Sequence, residues 1–169
     1  MPFEFDPRFR SLTLPLLRQL PENELAHAVQ DHVFIRIGSD PEREKEIVAA
    51  LPEAVRGVHA ALILDAQVKN GGFNQFFWNA AHWADTALQA LAVLGATEHA
   101  GLLQEAMDLA VDQMSHLLPY HVEGSVEAFS ASYKEGVFEA LDVRYYGLPD
   151  LDRILSRAIR EHPERFCSP

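Results

Sequence analysis

The sequence predicts an all-α fold, a single-domain helical bundle of about seven helices. Three observations lead there. Apolar residues recur at helical spacing, as in Phe73, Phe76, Phe77 and Ala80 at i, i+3, i+4 and i+7. The periodic segments begin at residues that cap helices and end at glycine or proline. The one run that resembles a strand, His32 to Ile37, continues the helical stripe that precedes it. At 169 residues the chain is long enough to bury roughly two thirds of its unfolded surface, so neither disulfide nor metal is required for a core. The expected organisation is an N-terminal arm, 1–21, and one helical domain, 22–169.

Pro2, Pro7, Pro15 and Pro21 keep the arm irregular, with a short helical piece around Leu12 to Leu20. The next helix runs from Glu22 to Ile37, with Leu25, Ala28, Val29, His32, Val33 and Arg36 on one side and Gly38 closing it. Ser39-Asp40-Pro41-Glu42 reads as a helix start: a capping side chain, a proline suited to the first position, and acids at the positive end of the dipole. A polar helix to Ala50 follows.

The helix from Glu53 to Lys69 is the most apolar. Between Ala54 and Val68 only Arg56, His59, Asp65 and Gln67 are polar, so it should be covered on most sides, with Asp65 partly buried in a packing role. Asn70, Gly71 and Gly72 tolerate unusual backbone and read as a helix stop before an aromatic helix. They do not form a phosphate loop, since no lysine partner and no preceding strand accompany them. Asn74, Gln75 and Asn79 among Phe73, Phe76, Phe77 and Trp78 either satisfy orphan backbone groups or form a recognition surface.

An apolar stripe of Trp83, Ala87, Leu88, Leu91 and Leu94 ends at Gly95. Thr97 then caps a helix with Glu98 in its first turn and Leu102, Leu103, Ala106, Leu109, Ala110 and Met114 inward, ended by Pro119. Ser125 caps a helix running to about Tyr145, with Phe129, Tyr133, Val137, Phe138 and Leu141 facing in. Gly147 and Pro149 precede a last helix, Asp150 to Glu161.

The composition narrows the function classes. A balance of 25 acidic and 14 basic residues, net −11, argues against direct binding to nucleic acid or an anionic membrane, both of which need a basic footprint. No run approaches the roughly 20 apolar residues of a membrane span, and the single Cys167 fits a reducing compartment. A cytoplasmic protein is expected, without a cofactor.

The acids are unevenly placed. No lysine or arginine occurs between Lys69 and Lys134, yet Asp85, Glu98, Glu105, Asp108, Asp112, Glu123 and Glu127 all do. Glu98, Glu105, Asp108 and Asp112 fall at i, i+7, i+10 and i+14, within about 80° of one another on a helix and along about 21 Å. Duplex DNA over that length carries roughly twelve phosphates. Four carboxylates supply about a third, so imitation of DNA would need Asp85, Glu123 and Glu127 alongside, the polar helix with Glu42, Glu44 and Glu46, or a second subunit. The competing reading is the solvated side of an amphipathic helix.

Asn70-Gly71-Gly72-Phe73, Gln75-Phe76-Phe77 and Asn79, followed by Ala90-Leu91, Leu94-Gly95-Ala96, Leu141-Asp142 with Tyr145-Tyr146, and His162-Pro163 with Phe166, resemble the bacterial DNA-mimic protein family. The resemblance covers nearly the whole chain from about Leu20 onward. Two positions depart from the family pattern: Gln67 stands where an acidic residue is expected, and Lys69 where an asparagine is. The resemblance implies an all-helical domain and a non-enzymatic role.

Together these features point to an acidic binding protein that occupies the DNA-contacting face of a DNA-binding protein or transcription factor. A neutraliser of another basic protein, such as a toxin, would use the same charges. A metal-assisted enzyme is a third reading, built on His82, Asp85, His116 and His121. His27 and Asp31, at i and i+4, read as a surface pair. A homodimer through an apolar helix face is a further expectation.

Overall fold

Proline and glycine positions, more than length, decide how this chain is cut into helices. The structure is a computed structural model and describes residues 5–38 and 43–168. Its α-helices are α1 (Leu14–Gln19), α2 (Leu25–Ile37), α3 (Glu44–Ala49), α4 (Glu53–Ala80), α5 (Ala84–Val93), α6 (Thr97–Asp112), α7 (Met114–Glu123), α8 (Val126–Lys134), α9 (Glu139–Tyr146) and α10 (Leu151–Glu161). Among the described residues the sole β contact is an isolated antiparallel bridge between Leu12 and Ser168. The all-α class is as the periodicity indicates; the helices are shorter and more numerous than about seven. The helix start read at Ser39 to Glu42 lies outside the described residues.

Two breaks account for the extra segments. Gly136 adopts φ 65, the left-handed region where a side chain is costly, and it splits the expected helix 126–145 into α8 and α9. Tyr133, expected to face inward, is consequently half exposed at 51%. The other break falls at Gln113, whose carbonyl takes both His116 N–H and Leu117 N–H at 3.0 Å. Pro119 therefore lies inside α7 and does not end the preceding helix. Pro119 is the sixth residue of α7, so the N–H it lacks would have bonded Ser115 O, and the helix carries that loss in its interior. Met114, expected inward from α6, is 52% exposed as a result.

Helix α4 is the axis of the molecule and touches α2, α5, α8, α9 and α10. Val55, Val58, Ala60, Ala61, Leu64 and Val68 are fully buried on its first half, and Phe73 and Phe76 on its second. It does not stop at the glycines. Gly71 (φ −160, ψ 33) and Gly72 (φ 70, ψ −177) make a kink, and the helix resumes at once. The restart has a specific partner: Asp142 Oδ1 on α9 accepts the Phe73 N–H at 2.8 Å, capping the second half as an N-terminal carboxylate does. A β-carbon on Gly72 would stand 2.3 Å from Asp142 Oδ2, so the glycine is required by that close approach as well as by its φ.

The arm is tied in by buried apolar residues and backbone contacts. Phe9, Leu12, Leu17 and Leu20 belong to the core. Thr13 caps α1 through its side chain, with Pro15 in the first turn. Arg160 of α10 donates to the carbonyls of Leu17, Arg18 and Leu20 at the other end of α1.

Candidate functional site

All four acids of the stripe lie in one helix, α6, and all are exposed: Glu98 in the first turn, Glu105 and Asp108 in the middle, Asp112 at the end. Their opposite face supplies buried Leu102, Leu103 and Ala106. Asp85 is exposed in the first turn of α5, which packs on α6. Glu123 ends α7 and Glu127 opens α8, and both are exposed. The acids thus occupy the outer surfaces of four consecutive helices.

Charge counting along the sequence missed one cation. Arg144 of α9 reaches Glu105 with both guanidinium nitrogens, Nη1 to Oε2 at 2.5 Å and Nη2 to Oε1 at 2.9 Å. The guanidinium hydrogen bonds hold the Glu105 carboxyl below the usual carboxylate range. Glu105 is therefore the compensated member of the stripe. Asp85, Glu98, Asp108, Asp112, Glu123 and Glu127 make no ion pair among the described residues; Asp108 accepts Gln104 Nε2 at 2.9 Å and Glu123 accepts Ser125 Oγ at 2.7 Å. No sequence spacing links residue 105 to residue 144; the contact follows from α9 folding back on α6.

A second feature was also not anticipated. Val111, Met114, Leu118 and Val122 are exposed by 67, 52, 49 and 77%. Met114, Leu118 and Val122 fall at i, i+4 and i+8, so α7 presents an apolar strip to solvent between the acids of α6 and α8. In sequence these residues look like core.

The aromatic motif serves the kink. Phe73 packs edge-to-face on Tyr145 at 5.5 Å between ring centroids, and Phe77 lies 5.3 Å from both Phe76 and Phe138. Asn74 is buried and donates to Ser132 Oγ at 3.1 Å. Asn70 Nδ2 donates to Gln75 Oε1 at 3.0 Å, while Gln67 Oε1 accepts from Gln75 Nε2 at 2.9 Å and Asn79 Nδ2 at 3.0 Å. These amides bridge the two halves of α4 across Gly71 and Gly72. Gln67, one of the departures from the family pattern, is the shared acceptor.

Below them, Asp65 is nearly buried, paired with Lys69 Nζ at 2.8 Å and accepting Tyr145 O–H at 3.1 Å, the packing role expected of it. Burial, with the Asp65 charge beside it, pushes the Tyr145 hydroxyl pKa far up, so it remains a donor.

The histidines do not converge. His82 lies in the turn between α4 and α5, His116 pairs with Glu135 at 3.2 Å, and His121 stacks 4.6 Å from Trp78. Among the described residues no group of three His, Cys, Asp or Glu side chains could hold a metal ion. His27 pairs with Asp152 Oδ2 of α10 at 3.0 Å and not with Asp31, because α10 packs against α2. His59 is fully buried, with Nδ1 at Gln30 Oε1 and Nε2 at Glu44 Oε1. Burial lowers its pKa, opposed by Glu44.

The DMP19-like protein family matches residues 49–162, more than half of the chain. The chain belongs to the DMP19-like protein family. The matched span of this DMP19-like chain runs from the end of α3 through α10 and holds the kink, the acidic helices and the apolar strip. No curated protein and no solved structure matches the chain. No helix among the described residues is long and apolar enough to cross a membrane.

Proposed function

We propose that this protein is a DNA mimic, a non-enzymatic acidic chain that occupies the DNA-contacting face of a DNA-binding protein. The observation that carries the reading is the exposed set of six uncompensated carboxylates on α5 to α8, with Arg144 as the cation that reaches the stripe. Membership of the DMP19-like family, a DNA-mimic family, supports it.

The magnitudes agree with a one-sided contact. The 21 Å of α6 corresponds to roughly twelve duplex phosphates, and a protein docking on one side meets about half of them. Three free carboxylates of α6 with Asp85, Glu123 and Glu127 supply a similar number. Clustered negative charges would steer a basic partner and make association salt-sensitive.

The test is capture on immobilised protein from host lysate at low salt, eluted with rising salt and separately with duplex DNA. A DNA-binding protein released by both is the expected result. Its capture should weaken with Glu98→Gln/Asp108→Asn/Asp112→Asn, whose exposed side chains leave the core untouched. A partner indifferent to those changes would remove the stripe from the account.

A second reading, neutralisation of another basic protein, is favoured by the apolar strip of Met114, Leu118 and Val122, for which a phosphate mimic has no need. Release by salt but not by duplex DNA selects it. A second copy of the chain is the other occupant that the strip would accept, and a concentration-dependent sedimentation coefficient abolished by Leu118→Lys would identify it.

A further inference from the structure

A cavity of about 400 Å³ opens where α3, the start of α4 and α5 meet; α6, α7 and α8 do not line it, and α5 is shared with Asp85 of the acidic set. Small-molecule sites occupy this size range, lined mainly by apolar groups with a few convergent polar ones. Here the apolar wall is formed by Ala54, Trp83, Ala90 and Leu94, and Val93, 64% exposed, stands at the lip. Gly57 closes the back. A β-carbon there would meet Ala90 Cβ at 2.7 Å, so glycine lets α4 and α5 seal the cavity on that side.

The polar groups are of one dominant sign. Lys45, Arg56 and Arg165 line the cavity against the single carboxylate of Glu53, a local excess of cations in a chain of net −11. The side chains of Lys45 and Arg165 make no ion pair or hydrogen bond among the described residues, whereas those of Lys69, Arg8, Arg43 and Arg144 are each paired with a carboxylate. Arg56 is held in place by one hydrogen bond, Nη1 to Ala49 O at 2.9 Å, which leaves its remaining donors available. For His82, the remaining titratable group of the lining, partial burial and the Lys45 charge lower the pKa, with Glu44 opposing. Unpaired cations beside an indole and aliphatic side chains, in a partly enclosed cavity, are complementary to a molecule with an anionic head and an apolar body.

We propose that this cavity binds a small amphipathic organic anion, a carboxylate with an aryl or short acyl body, its head at Lys45, Arg56 and Arg165 and its body against Trp83 and Leu94. The site is independent of the acidic surface and of the function assigned to it.

Calorimetric titration of the full chain with 1-naphthaleneacetate and with decanoate tests this, with 1-naphthaleneacetamide as the neutral counterpart of the aryl probe. The expected result is saturable one-to-one binding of a carboxylate, at least about tenfold tighter than the amide, as loss of one charged contact implies. Lys45→Glu/Arg165→Glu should weaken it by tenfold or more. Arg18→Glu/Lys134→Glu, the same charge change at equally exposed positions elsewhere, should leave it unchanged. All four substituted residues are exposed, and an unaltered circular dichroism spectrum confirms that the fold is kept. The proposal is overturned by equal affinity for acid and amide, by equal weakening in the two double variants, or by no saturable binding of either carboxylate up to about 1 mM. Displacement of the probe by anionic vesicles or duplex DNA overturns it too, since the cations would then belong to a macromolecular docking face.

Discussion

Replacing Gly72 by alanine attacks the kink of α4 in two ways at once. At φ 70, ψ −177 the backbone lies in a region that is essentially restricted to glycine, and holding another residue there costs about 1–3 kcal/mol. The new methyl would also stand 2.3 Å from Asp142 Oδ2 and 2.9 Å from Oδ1. The carboxylate must then move away from the Phe73 N–H it accepts at 2.8 Å, and a hydrogen bond to a charged group contributes about 1.5–3 kcal/mol. The sum is about 2.5–6 kcal/mol, against total stabilities of about 5–15 kcal/mol for domains in general. At this chain length each kcal/mol lowers Tm by roughly 2–4 °C, so a fall of at least about 5 °C is expected. Thermal unfolding followed by far-ultraviolet circular dichroism measures the Tm shift, and urea unfolding the free-energy loss. The diagnostic experiment adds Asp142→Ala. With the carboxylate gone, the methyl has lost its obstacle, and the double variant should be less destabilised than the sum of the singles by about 1 kcal/mol or more. A Gly72→Ala protein within about 1 kcal/mol of the parent, or strict additivity with Asp142→Ala, would refute the account.

Three further outcomes are expected. His32 is fully buried, with Nδ1 at Phe9 O and Nε2 without a partner, and burial lowers its pKa below the usual imidazole value, as it does for His59 and His99. A lowered folded-state pKa means that the unfolded chain takes up the proton first; stability is full above about pH 6.5 and falls as acid carries the protein toward the folded-state values, by at most about 1.4 kcal/mol per pH unit and histidine. Urea midpoints between pH 8 and 5 should show this decline, flatter in His32→Asn. Arg144→Gln removes the cation that compensates Glu105, so stopped-flow association with a captured basic partner should become faster and more salt-dependent while Tm stays nearly constant, because the pair is exposed. Ser125→Ala deletes the side chain that accepts Ala128 N–H at 3.0 Å and should lower stability by about 1 kcal/mol in the same urea assay.

Much of the fold was legible because it rests on local rules. The apolar stripe of 53–69, the cap at Ser125 and the stop at Gly38 each act within a turn or two of chain, and each stands where periodicity placed it. The kink was half legible. Asn70, Gly71 and Gly72 announce unusual backbone, but continuation of the helix depends on Asp142, far away in sequence, which supplies the missing acceptor. The same limitation affected the charges: the acids of α6 could be read from spacing, while Arg144 could not, because α9 brings it across in space. Pro119 and Gly136 show the rule failing in both directions. A proline stands inside a helix without ending it, and a glycine within a good helical pattern ended one. The cavity left no sequence signal, since Lys45, Arg56 and Arg165 come from three separate segments.

The pairing of Leu12 with Ser168 has a consequence for how this chain is made. The two residues exchange N–H to carbonyl bonds at 2.9 Å each, Ser11 Oγ adds a third contact to Ser168 O, and Arg160 binds the end of α1 nearby. Contacts between segments so far apart in sequence close late, since the whole intervening chain must be synthesised before the partner exists. Leu12 and Leu17 therefore wait, apolar and short of their partners, while α2 to α9 leave the ribosome. This stretch is made before α10 and seats after it, and a ribosome stalled before α10 would hold Leu12 and Leu17 without the chain that covers them.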